Sequence, residues 1–364
     1  MKLRTLVITV AVLALASVAV YLGNRPTPAP TDDPRVGAAL LDPDTVAKAA
    51  GLEIADQGKK VELARNPDAS WRVLSYYDLP ADFEKISRFV QDLNEAKVDR
   101  FVTSNPDRLS HLDFKDSSVT LKDSAGKAVW SLSLGKMAES GNGRFIRFGT
   151  EPKAFFSNLH VWLDTDAKGW ANAQLVTVKP EEVAKVEIPF GSGARVVATR
   201  AKKDAPWTAD APAGQKLIAD QVSSLLTSLT TLRFTETADP KDAAALEAAA
   251  HMRAFKLTTF DGKTLTVALG RKPEEKKLKP PVPEAKPAVA PIGKASDVKA
   301  DAKPVAPEFE TIPAGPVFVV VSSSDAHAPV NDLMKRRAFQ VDDYAFTRLP
   351  QKPDELFEAE KKAK

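Results

Sequence analysis

The sequence contains no cysteine. Disulfides, thiol nucleophiles and Cys-based zinc sites are therefore excluded, as is the lipid-bearing cysteine of a bacterial lipoprotein. Histidine is scarce. His111, His160, His251 and His327 are the four present, and no two are three to five residues apart, the spacing by which one helix presents a metal pair. Each reads as a surface or packing residue. A formal net charge of +3 over 364 residues leaves no basic excess that would point to nucleic acid. Catalytic motifs are also missing. There is no Gly-x-Ser-x-Gly elbow. Gly141-Asn-Gly143 and Gly191-Ser-Gly193 lack the third glycine and the lysine of a phosphate cradle and read as tight turns. Asp164-Thr-Asp166-Ala-Lys168-Gly169 begins like a calcium loop. Lys168 and Leu175, however, stand where the fifth position needs an oxygen ligand and the twelfth a carboxylate. Ser296-Asp-Val-Lys299 has the Ser-x-x-Lys spacing inside a stretch with nothing to hold a nucleophile in place. The expectation is a protein without catalytic residues, cofactor or metal. A carboxylate-only site carries no local motif and stays open among 48 acidic residues.

One stretch lacks charge altogether. Leu6 to Leu22 is 17 residues of apolar and small side chains, at the lower limit for a helix that spans a bilayer. A cleaved signal peptide is the rival reading, with Ala14-Leu15-Ala16 or Ser17-Val18-Ala19 before the cut. The apolar run continues through Val20, Tyr21 and Leu22 past both sites, which favours an uncleaved anchor. Lys2 and Arg4 precede the run, so the N-terminus is expected in the cytoplasm and the body outside it. The expected location is the bacterial inner membrane, crossed once, with a periplasmic body. Pro26, Pro28, Pro30 and Pro34 form a stiff stalk over residues 26–38.

What is present is self-similarity. Asp42-Pro-Asp-Thr-Val-Ala-Lys48 matches Lys179-Pro-Glu-Glu-Val-Ala-Lys185, Ala69-Ser-Trp71 matches Ala205-Pro-Trp207, and Leu132-Ser-Leu-Gly135 matches Val267-Ala-Leu-Gly270. The order is kept and the offset stays nearly constant, which predicts two repeats at 39–175 and 176–350, followed by a charged tail at 351–364. In each, a Pro-led turn precedes a hairpin: Val61–Arg65 with Trp71–Leu74, and Ala194–Arg200 with Trp207–Ala209. A helix follows, with apolar stripes Phe83, Ile86, Phe89, Val90, Leu93 and Ile218, Val222, Leu225, Leu226, Leu229. A shorter helix is expected near Pro106–Leu112 and Pro240–Ala250. A second hairpin turns at Asp123–Gly126 or at Asp261-Gly262. Further strands are expected at 144–148 and 154–156, then at 309–312 and 317–321. Hairpins predominate, so the predicted class is α+β, with mainly antiparallel sheets and one or two helices on one face of each. Residues 273–307 hold eight prolines, seven lysines and no aromatic. That composition predicts a disordered loop inside the second repeat.

Pro43, Trp71, Ala81-Asp82 and Gly135, with Pro180, Trp207, Ala219-Asp220 and Gly270, resemble tandem copies of a bacterial domain of unknown function. It is the family numbered four thousand three hundred and forty in the DUF series. The resemblance implies a membrane-anchored, exported protein. Some members occur beside ABC-type transport components resembling those of gliding machinery. It supplies no catalytic or binding residue.

Trp71 and Trp207 recur with the repeat and are expected in the core. Trp162 and Trp170 have no repeat partner and are the candidates for a contact surface. The expected function is a non-enzymatic accessory or scaffold protein, held to the cell membrane and bound to envelope proteins, without nucleic acid. An envelope glycan- or peptidoglycan-binding module is the alternative. A hydrolase with an unrecognised carboxylate site is the third reading.

Overall fold

A computed structural model of the chain describes residues 33–139, 141–191, 193–278 and 309–360. The described residues form two compact units, divided between Asn172 and Ala173. The fold is α+β, with a large antiparallel sheet in each unit and few helices. No helix of the described residues is long and apolar enough to cross a membrane. The predicted anchor at Leu6–Leu22 lies outside those residues.

Unit 1 opens with helix α1 (Pro43–Lys48), whose proline sits where a missing N–H costs nothing and whose Asp42 caps the N-terminus. Strands β1 (Gly51–Asp56), β2 (Lys59–Arg65), β3 (Trp71–Val73) and β4 (Leu79–Pro80) follow. Then come α2 (Phe83–Glu95), β5 (Val98–Thr103), α3 (Pro106–Ser110), β6 (Ser118–Lys122), β7 (Ala128–Met137), β8 (Arg144–Phe148) and β9 (Ala154–Ser157). The nine strands lie in the order β4-β3-β2-β1-β6-β7-β8-β9-β5. Alternation decides the faces. Leu52, Ile54, Val61, Leu63, Val119 and Leu121 are buried, while Glu53, Glu62 and Lys122 face outward. Helix α2 adds Ile86, Phe89 and Leu93 to the core. Its first residue, Phe83, was expected in that stripe but is 63% exposed, because Asp82 is the N-cap and the buried face begins one turn later.

Unit 2 contains β10 (Val183–Pro189), β11 (Arg195–Thr199), β12 (Thr208–Ala209), β13 (Gln215–Leu217), α4 (Ala219–Thr230), β14 (Phe234–Ala238) and α5 (Ala243–Ala249). It continues through β15 (Arg253–Thr259), β16 (Thr264–Gly270), β17 (Glu275–Leu278), β18 (Phe309–Ile312), β19 (Val317–Ser323), α6 (Pro329–Arg336), β20 (Ala338–Val341), α7 (Asp343–Thr347) and β21 (Phe357–Ala359). Its main sheet runs β12-β11-β10-β15-β16-β19-β20-β14. Helix α4 buries Val222, Leu225, Leu226 and Leu229.

Several expectations need correction here. Glu275–Leu278 lies within the stretch predicted to be disordered, yet it pairs residue by residue with Phe309–Ile312. Those four residues are a strand because a partner strand satisfies their backbone. Residues 279–308 lie outside the described chain. Phe309–Ile312 is a strand as expected, and it pairs with β17 rather than with a strand of the main sheet. The tail does not begin at 351, because Leu356 and Phe357 are buried and β21 pairs with β13. Finally, Trp71 is only half-buried, whereas Trp207 is 6% exposed. The difference lies in the covering arginine. Arg200 donates to the carbonyls of Pro180, Val183 and Lys203 and lies 4.6 Å over the Trp207 ring. Arg65, at the matching place in the first hairpin, points to solvent.

Candidate functional site

Three segments of unit 2, with Lys203 from the loop between β11 and β12, converge where β15 turns into β16 and β19 leaves the sheet. They enclose a cleft of about 660 Å³. The first wall is residues 177–182, tied to the second by the Phe260 N–H, which donates to the Glu182 carbonyl at 3.0 Å. The second wall is the Asp-Gly turn, closed by the Gly262 N–H on the Thr259 carbonyl. The third is the turn after β19. Asn331 holds it by accepting from the Ser323 N–H and donating to the carbonyls of Ser323 and Asp325. Walls two and three are joined because the Thr264 N–H donates to the Ser324 hydroxyl and the Ser324 N–H to the Thr264 carbonyl.

The floor is apolar, with Leu265 buried and Val178 and Val330 half-buried. The rim mixes signs: Glu182, Asp261 and Asp325 share it with Lys203 and Lys263, Lys263 pairing with Asp261 at 3.4 Å, and His327 is exposed among the lining residues. The Thr259 hydroxyl donates to the Asp261 carboxylate and is the main reason it is held below the usual carboxylate range. Asp325 accepts the His327 backbone N–H at 2.9 Å. Phe260 stands on the rim, 40% exposed, with the Arg200 guanidinium 5.8 Å from its ring. None of this was legible as a motif. The one signal was an aromatic immediately before an Asp-Gly turn.

Trp162 and Trp170, paired as candidates by sequence, are placed oppositely. Trp162 is 85% exposed and Trp170 is 1% exposed. Trp170 therefore belongs to the core. It stacks edge-on against Phe89 at 5.6 Å, donates from its indole N–H to the Asp164 carbonyl, and lies under Lys85 at 4.5 Å. Lys85 also pairs with Asp164, so the calcium-like segment is a braced turn. Trp162 projects from a segment pinned on either side by buried Leu159 and Leu163. All four histidines are exposed. Among the described residues, no group of three or more His, Asp or Glu could hold a metal.

Two further polar features belong to unit 1. A hollow of about 700 Å³ on the outer sheet face is walled by ion-paired Glu62 and Lys122 and has no aromatic in its lining. Asp33 is buried between Arg35 and Lys153. Its hydrogen bond from Arg35 is the largest of several that hold its carboxyl far below the ordinary range, against the opposing effect of burial. Arg35 in turn reaches Glu151 and the rings of Phe148 and Phe155.

No curated protein and no solved structure matches the chain. The model of a family described as a domain of unknown function (DUF4340) matches one stretch, residues 71–251, from β3 of unit 1 to just past α5 of unit 2. Over those residues the chain belongs to that family.

Proposed function

We propose that this is a membrane-tethered, exported accessory protein made of two copies of one α+β module, which works by binding envelope proteins. The observation that carries the reading is a common framework. Matching β1 with β10, β2 with β11, and so on through the two hairpins, makes the strand orders of the two main sheets correspond from β3 and β12 through to β5 and β14 at the far edge, with β4 an added edge strand in unit 1.

Smaller correspondences support it. Pro43 and Pro180 both open a helical turn. Glu53 and Glu187 both stand on the outer face of the central strand and pair with lysines or arginines. The lead-in to each unit covers the start of its own edge strand, Leu40 N–H to the Ala96 carbonyl and Leu175 N–H to the Leu232 carbonyl. Lead-ins that shield a sheet edge limit unwanted pairing there and leave the outer faces for partners. The tether rests on Leu6–Leu22 with Lys2 and Arg4 before it. Trp162, rigidly presented and exposed, supports contact with a protein partner, since buried aromatics anchor most interfaces. An assembly around an ABC-type exporter is the partner class that the family resemblance suggests.

The hydrolase reading needs two carboxylates in one cleft, with one sheltered from water so that it stays protonated as the acid; the three of the unit 2 cleft, Glu182, Asp261 and Asp325, are all exposed. Among the described residues Asp33 is the buried carboxylate, and Arg35 and Lys153 neutralise it. The test is photo-crosslinking in living cells with a reactive residue at position 162. Defined adducts with envelope proteins are expected from 162 and not from 84, where exposed Glu84 pairs with Arg88 on α2. Equal labelling at both, or none at 162, would count against the proposal.

A further inference from the structure

The unit 2 cleft has the chemistry of a sugar site. Its rim sets three carboxylates, Glu182, Asp261 and Asp325, among two lysines, Lys203 and Lys263. A ligand of either charge meets like charges there, so nothing draws an ion in strongly. The same rim is dense in both donors and acceptors, with hydroxyls at Thr177, Thr264 and Ser323 as well. A molecule that satisfies such a rim carries donors and acceptors together and no net charge. It must also offer an apolar face, because Phe260 exposes 40% of its surface at the rim and the floor is Leu265, Val178 and Val330. A pyranose ring has this pattern: hydroxyls around its edge and C–H bonds on its faces.

Phe260 is held ready. Its N–H is tied to Glu182 and its ring is braced by Arg200, which is itself locked by three carbonyls. The three walls are cross-linked by hydrogen bonds, so little ordering entropy remains to oppose binding. The volume of about 660 Å³ falls within the range of small-molecule clefts. The turn at the matching place in unit 1, Asp123–Lys127, has no aromatic.

We propose that this cleft binds a neutral saccharide, with one ring stacked on Phe260 and its hydroxyls shared between Asp325, Asp261 and the two lysines. The proposal is independent of the membrane tether.

The test is ligand-observed NMR on the full chain in a detergent without a sugar headgroup, with cellobiose, maltose and N,N′-diacetylchitobiose as probes. At least one should bind with a Kd between about 10 μM and 10 mM. Phe260→Ala should weaken it about tenfold or more. Phe260→Leu, which keeps apolar bulk without a flat face, and Asp325→Asn should also weaken it. Trp162→Ala should not. Absence of all three signals up to about 10 mM overturns the proposal, as does full binding by either Phe260 variant. Preference for a lysine oligomer or for inositol hexakisphosphate at the same cleft also overturns it.

Discussion

Gly270 ends β16 with no room for a side chain. A Cβ there would lie 2.6 Å from the Ala248 carbonyl oxygen, 2.8 Å from Met252 Cγ and 2.9 Å from Met252 Cα. Two of those atoms are backbone, one in the last turn of α5 and one at Met252 just before β15, so the contact cannot be relieved by swinging a side chain. The helix end must move by several tenths of an ångström, against a core that includes Ala245, Ala248 and Phe318. Overpacking of this kind costs about 1–3 kcal/mol. In a unit of this size each kcal/mol moves the melting temperature by roughly 2–4 °C. Gly270→Ala should therefore lower the melting of unit 2 by about 2–12 °C. Gly135→Ala should do the same to unit 1, where the added Cβ would lie 2.4 Å from the Leu112 carbonyl oxygen. Gly191→Ala is the control, since nothing lies within 4 Å of its Cβ and its φ is not positive. Differential scanning calorimetry with all three variants reads the result. A melting temperature for Gly270→Ala within a degree of the control would refute the close approach of helix end and strand.

Trp170→Ala should cost roughly 3–5 kcal/mol in urea unfolding, whereas Trp162→Ala, at 85% exposure, should leave the midpoint unchanged. Trp207→Ala should destabilise more than Trp71→Ala, because only Trp207 is buried and covered by an arginine; equal losses would contradict that. Asp33 has a depressed folded-state value, so its contribution is complete above its ordinary value of 3.8 and is lost as pH falls through the folded one. Asp33→Asn should accordingly narrow the stability gap between pH 6 and pH 3, measured by chemical unfolding.

Local chemistry made much of the fold legible. The Asp-Gly turn, the prolines at helix starts and the 3.6-residue stripes each act within about a dozen residues, and their elements stand where expected. Strands β1 and β10 follow the Pro-led turns but are not announced themselves, because only Leu52/Ile54 and Val186/Ile188 alternate there, too short a pattern to mark a strand. The edge strands β5 and β14 find partners far along the chain, β9 and β20, and nothing local announces such pairings. Trp170 was misplaced for a related reason: its burial depends on Phe89, in another element. The cleft was illegible because its walls come from residues 177–182, 259–265 and 323–330, which only the finished sheet brings together.

The proposed tether, with the body outside the membrane, is tested most directly by the intact mass of the native protein from alkali-washed membranes. An uncleaved anchor predicts, in the membrane pellet, a mass that includes Leu6–Leu22, 39.3 kDa for these 364 residues. A shorter chain in the soluble fraction, beginning near Ser17 or Val20, would contradict it.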